Sequence, residues 1–150
     1  FGLGDVSKEE AIEMAGILRE AGISIVTSLP IGRNIPPVNL LNECGVDVAV
    51  GNDNIFDSWW PTGNGDVLER AGRVLERFRW TEEVSLGQAL KYITGGKTLL
   101  DKEGNQLWPK AGDAANIVLV EASCAAEAIA RRAKRKAVIY KGNVVCGSLH

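Results

Sequence analysis

A five-residue run, Val46-Asp47-Val48-Ala49-Val50, is apolar at all but one position and empties directly into Gly51-Asn52-Asp53-Asn54. A strand that is apolar almost throughout is one buried on both faces, and such strands belong to parallel sheets flanked by helices. That limits the fold before any other residue is read. A parallel strand comes with a further strand and a helix elsewhere in the chain.

Both are there. Ser7-Lys8-Glu9-Glu10 is a capping box, and Met14, Ala15, Leu18 and Ala21 follow at helical spacing, with Gly22 as the stop. Ile23 to Leu29 is a β-branched run closed by Pro30, and Pro36-Pro37 opens a short helix that Gly45 ends. Downstream of the polar turn, Asn64 is placed to cap a long helix carrying Leu68, Ala71, Leu75 and Phe78. A second capping box, Ser85-Leu86-Gly87-Gln88, starts another helix that stops at Gly95-Gly96. The order is the tail of a β/α alternation.

Past Thr98 the pattern changes. The stretch holds a strand from Asn116 to Glu121, a short helix from Ala125 to Arg132 and a hairpin around Lys141-Gly142. The run Arg131 to Lys136 reads as a solvated basic face. Two or three β/α units cannot close a barrel, which takes about eight strands and about 250 residues. The expectation is therefore an α/β chain: residues 1–97 as the last β/α units of a TIM barrel, and 98–150 as part of a small β-sandwich. The opening Phe1-Gly2-Leu3-Gly4 reads as a loop already under way, which points to the C-terminal part of a longer protein.

Composition narrows the chemistry. With 17 basic and 19 acidic residues and no aromatic-basic interleaving, nucleic acid is not an expected partner. No apolar run approaches the roughly 20 residues of a membrane span. Cys44, Cys124 and Cys146 lack metal-ligand spacing, and an odd, sparse set suits a reducing cytoplasm. The single histidine is the terminal His150. Gly63-Asn64-Gly65 lacks the Lys-Ser/Thr of a phosphate loop.

The candidate site is the turn after Val50, because α/β folds build their sites at the carboxyl ends of strands. Asp53 there can coordinate a divalent metal or carry a proton to and from a water; the same Asn-Asp-Asn also favours a plain Asx turn. Trp59-Trp60 can wall a pocket for a flat ring, or pack under the long helix. Asp57 can cap the turn or hold a neighbour. Arg33 and Asn34 follow the first strand on the same face, where a surface ion pair competes with substrate contact. Cys44 reads as a small buried side chain.

The segment from Gly51 to Pro61 resembles the strand-eight motif of bacterial cytosine deaminases of the amidohydrolase superfamily, Gly-His-Asp-Asp-(Val/Asn)-Phe-Asp-Pro-Trp-Tyr-Pro. The likeness continues in Gly112-Asp113-Ala114-Ala115-Asn116-Ile117-Val118-Leu119, similar to the superfamily's return to its β-sandwich, and in the final hairpin from Ala137 to Val145. The resemblance implies a metal-dependent hydrolytic deaminase using one divalent ion, zinc or iron. It further implies Asp53 as metal ligand and proton carrier, and Trp59 as the ring packed on a small heterocyclic substrate. Asn54 stands where a second aspartate usually contacts substrate, and Asn52 replaces a histidine. An amide for a carboxylate exchanges a charge for a donor and changes which ring edge is read. The histidine ligands of the family have no counterpart here, so this chain alone is expected to be inactive. A different heterocycle or cyclic amide is one alternative. A non-catalytic module that self-associates through exposed edges is the other, and either way a homo-oligomer is expected.

Overall fold

The computed structural model describes residues 2–30, 32, 34–101 and 103–149. Arg33 and His150 lie outside the described residues, as does Phe1.

Helix α1 spans Lys8–Glu20 and begins with the expected box: Ser7 Oγ accepts from the Glu10 amide at 3.2 Å while Glu10 Oε2 accepts from the Ser7 amide at 2.8 Å. Strand β1, Ile25–Thr27, is shorter than the sequence implies. Leu29 two residues on has φ +49°, and its amide donates to Thr27 Oγ1, so the chain turns out of the sheet early. Helix α2 spans Val38–Glu43 and stops at Gly45, φ +84°, a left-handed backbone that a side chain would strain. Strand β2, Val48–Val50, lies parallel to β1 with Ile25, Val26 and Thr27 facing Val48, Ala49 and Val50.

The expected burial of this strand on both faces is not met. β2 is buried on one face only: Val48 and Val50 are buried while Ala49 is exposed, and its neighbour Val26 is 74% exposed. The inner residues pack on the helices; among the described residues nothing covers the other face. Helix α3, Val67–Phe78, supplies Leu68, Ala71, Val74 and Leu75 to the same core. Its cap is Asp66, not Asn64: Asp66 Oδ1 accepts from the amides of Leu68 (2.8 Å) and Glu69 (3.3 Å), and Asn64 Oδ1 holds the Asp66 amide at 2.8 Å. Helix α4, Glu83–Gln88, starts two residues before Ser85, so the second box does not form. It runs into a 3₁₀ turn, Ala89–Tyr92, whose Tyr92 is buried with its hydroxyl donating to Asn39 Oδ1 at 3.1 Å.

The last third is an antiparallel sheet in the order β3 (Ile117–Val120), β4 (Arg135–Tyr140), β5 (Asn143–Gly147), with helix α5 (Ala125–Ala130) between the first two strands. The hairpin turns at Lys141-Gly142 as expected, both with positive φ (+49° and +79°), the geometry that matches strand twist. The run Arg131 to Lys136 is largely solvated as expected, with Arg131, Arg132, Lys134 and Lys136 exposed, and its arginines are also paired. Arg131 pairs with Glu127 at 2.8 Å, Arg132 with Glu76 at 3.6 Å, and Arg135 with Asp66, tying β4 to the start of α3. Among the described residues no helix is long and apolar enough to cross a membrane.

Candidate functional site

The turn after β2 is closed by its own backbone. Gly51 donates to the Thr27 carbonyl across the parallel pair at 3.0 Å, which fixes the start of the loop to β1. The Phe56 amide then donates to the Gly63 carbonyl at 2.6 Å, and Gly63 donates to the Trp60 carbonyl at 2.9 Å. Gly63 is required by contact: a Cβ there would lie 2.3 Å from the Asn54 carbonyl oxygen and 2.9 Å from the Trp60 ring. Phe56 adopts φ +46°, a backbone that costs a non-glycine residue about 1–3 kcal/mol.

Asp57 organises the tip. Its carboxylate accepts from the amides of Trp59 (3.0 Å) and Trp60 (2.8 Å) and from Asn54 Nδ2. The Trp60 amide, foremost, holds the Asp57 carboxyl below the usual range; desolvation opposes it, and the Asn54 and Trp59 hydrogen bonds add to the lowering. Asp57 is thus the group that caps the turn and holds a neighbour.

The tryptophan pair divides its roles. Trp60 is half-buried against α3, with the guanidinium carbons of Arg70 and Arg73 at 5.3 and 5.1 Å from its ring centroid. Trp59 is 83% exposed, free to meet a flat ligand. Asn54 is half-buried, with an amide proton committed to Asp57. Asp53 is exposed, and its carboxylate takes no hydrogen bond or ion pair among the described residues. Of the two residues on the β1 side, Arg33 lies outside the described residues, while Asn34 donates to Asp5 Oδ1 at 2.8 Å and so ties down a surface loop. Cys44 is half-buried and free.

Beneath the turn lies a polar layer that sequence reasoning missed. Arg70, only 2% exposed, donates from Nε to Asn52 Oδ1 at 2.7 Å. Burial pushes the guanidinium pKa down, as does neighbouring Arg73, while Glu69 and Asp66 oppose the change. Glu69 is buried too, held by Asn64 Nδ2 at 2.9 Å and Arg73 at 3.2 Å. The clue was in the helical spacing: Arg70 stands four residues before Val74 and one before Ala71, on the buried side of α3.

A divalent ion in a catalytic site takes about three protein ligands. Among the described residues no three His, Cys, Asp or Glu side chains gather. Asp53 is chemically suited to be one ligand, but these residues do not complete a site.

Comparison with known proteins matches this arrangement to a family. Residues 4–146 match the amidohydrolase family. An uncharacterized protein of Escherichia coli (strain K12), YahJ, is 38% identical over 149 residues, 99% of this chain and 32% of that protein. The N-isopropylammelide isopropyl amidohydrolase of Pseudomonas sp. (strain ADP) is 30% identical over 142 residues, 94% of this chain and 35% of that one. Among solved structures, N-isopropylammelide isopropylaminohydrolase from Burkholderia multivorans ATCC 17616 is similar with a TM-score of 0.79 at 30% identity, covering 97% of this chain and 37% of that chain. The 5-methylcytosine deaminase of Klebsiella pneumoniae, liganded with 5-fluorocytosine, has a TM-score of 0.74 at 21% identity, covering 99% and 39%; that likeness is one of fold. The chain spans about a third of the length of the curated relatives it matches. The resemblance that the Gly51 to Pro61 motif carries is borne out: this chain belongs to the amidohydrolase family.

Proposed function

We propose that the chain is the Asp53-bearing part of a metal-dependent hydrolase that removes ammonia or a small amine from a ring carbon of a nitrogen heterocycle. The observation that carries this reading is the state of Asp53. It is an exposed carboxylate with no partner among the described residues, at the mouth of a parallel strand, in a loop closed on both sides of it. A turn that served only itself would spend that carboxylate on its own amides, as Asp57 does.

In this reading residues 1–97 are β/α units of a barrel and 98–150 a segment of a β-sandwich. One divalent ion, zinc or iron, is held by Asp53 together with ligands from outside these residues, and when bound it supplies an activated water. Asp53 would accept a proton of the attacking water at a carboxylate oxygen and return it to the leaving nitrogen, so that a C–O bond forms at the ring carbon and the exocyclic C–N bond then breaks, releasing ammonia or the amine. Trp59 offers its exposed face to the heterocycle, and Asn54 reads a ring edge with its amide. The free cysteines fit a cytoplasmic protein, and the exposed apolar strand face fits a homo-oligomer or intramolecular partner.

An alkylaminotriazine is favoured over cytosine itself, because the relatives at 30% identity act on N-isopropylammelide, whereas the 5-methylcytosine deaminase stands at 21%. The complete protein should release ammonia or alkylamine from one of cytosine, 5-methylcytosine or an aminotriazine. Asp53→Asn should lower kcat/KM by at least about 100-fold and reduce bound metal. Full activity and full metal content in that variant would overturn the assignment.

A further inference from the structure

Among the described residues, Asp53 is the one member of Asn52-Asp53-Asn54 whose side chain is left free. On its far side Asn54 is tied to Asp57; on its near side Asn52 is tied to Arg70. The second tie is costly to build. Arg70 is a charged side chain at 2% exposure, and its Nη1 is buried without a hydrogen-bond partner among the described residues. Burying a charge costs free energy that the nearby Glu69 and Asp66 only partly offset, and an apolar residue on this face of α3 would avoid that cost. Moreover, the guanidinium is oriented as well as buried: its carbon sits 5.3 Å from the centroid of Trp60, whose amide is itself held by Asp57. One side chain of α3 therefore grips the turn at two points, the residue before Asp53 and the ring at the loop's return.

Resting on the proposed function above, we infer that Arg70 is a positioning residue for Asp53, acting through its hydrogen bond to Asn52 and its stacking on Trp60. The substituted histidine position of the strand-end motif thereby gains a purpose: Asn52 supplies the acceptor oxygen that a guanidinium needs.

The test uses the complete protein with the substrate identified by the amine-release screen, comparing Asn52→Ala, Arg70→Met, Arg70→Lys and the Asn52→Ala/Arg70→Met double variant. A displaced reacting group costs turnover more than binding, so kcat should fall by about 100-fold in Arg70→Met with KM within about 2-fold. Because the two residues act through one contact, the double variant should be little worse than the worse single one. Arg70→Lys, which cannot reproduce Nε geometry, should not rescue. Independently of activity, hydrogen exchange of the amides from Gly51 to Ile55 should quicken in Asn52→Ala and Arg70→Met while those of α1 stay unchanged. Should Arg70→Met fail to fold, Asn52→Ala alone carries both readouts. Wild-type kcat and wild-type exchange in Asn52→Ala would overturn the inference. If instead Asp53→Asn keeps its activity, the functional reading fails while the exchange data still decide whether Arg70 orders the turn.

Discussion

Asp66 carries two structural duties that substitutions can separate. It caps α3 through Leu68 and Glu69, and it pairs with Arg135 of β4. Losing a helix cap costs about 1 kcal/mol. The Arg135 pair has side-chain exposures of 34% and 20%, which puts it near the upper end of surface pairs, roughly 0.5–1 kcal/mol. Asp66→Ala should therefore cost about 2 kcal/mol, or about 4–8 °C in Tm for a domain of this size. Asp66→Asn keeps an acceptor for the helix amides and loses only the charge, so it and Arg135→Met should each cost about half as much or less. Burial raises the Asp66 carboxyl, but Arg135 and the amides of Glu69 and Leu68 outweigh it and hold the pKa below the ordinary 3.8. The sign follows: the contribution is complete above the unfolded-chain value near 3.8 and fades as pH falls through the lower folded value. Wild type should thus lose more stability than Asp66→Asn on acidification below about pH 4. Thermal unfolding of the three variants across pH 2.5 to 7 (about 5 points) measures all of this. Equal losses in Asp66→Asn and Asp66→Ala would refute the capping argument, and an unaffected Arg135→Met would refute the pairing.

Gly63→Ala should destabilise the protein by about 2–4 kcal/mol, because its new Cβ meets the Asn54 carbonyl at 2.3 Å and no side chain can yield there; denaturant unfolding gives the value, and a loss under about 0.5 kcal/mol would count against the closed loop. Trp59→Ala should leave stability within about 0.5 kcal/mol while raising KM severalfold, since the ring is 83% exposed. Trp60→Ala should do the reverse in stability, uncovering Arg70 and Arg73; unfolding and steady-state kinetics on both variants separate the two rings.

Local signals carried much of the fold in the sequence. The Ser7 box, the stops at Gly22 and Gly45 and the Lys141-Gly142 hairpin are decided by residues within a turn of one another, and each formed as read. Failures came where a distant partner overrode a local preference. Asn64 has the chemistry of a cap, yet Asp66 holds that place because it also answers Arg135, 69 residues away. Ser85 is a good cap for a helix that instead begins at Glu83, where the chain leaves Trp80 in the core. The apolar run of β2 implied two covered faces, and only the one that meets helices is covered. At the candidate site, the polar turn after β2 was legible from its order, while the roles of Asp53, Asn54 and Trp59 rest on the proposal above. Arg70 was not read, although its spacing to Val74 puts it on the buried side of α3; its partner Asn52, 18 residues away, is what the spacing does not reveal.

The hydrogen bond from Phe56 to Gly63 makes the intervening residues a pendant hoop. Ser58, Trp59, Pro61 and Thr62 hang from that clasp, exposed and beyond the strand that carries Asp53. A hoop hung this way can be re-lettered or re-sized at its far end while its base stays in register. On the proposed reading, ligand choice at the tip and carboxylate placement at the root are thereby open to separate selection.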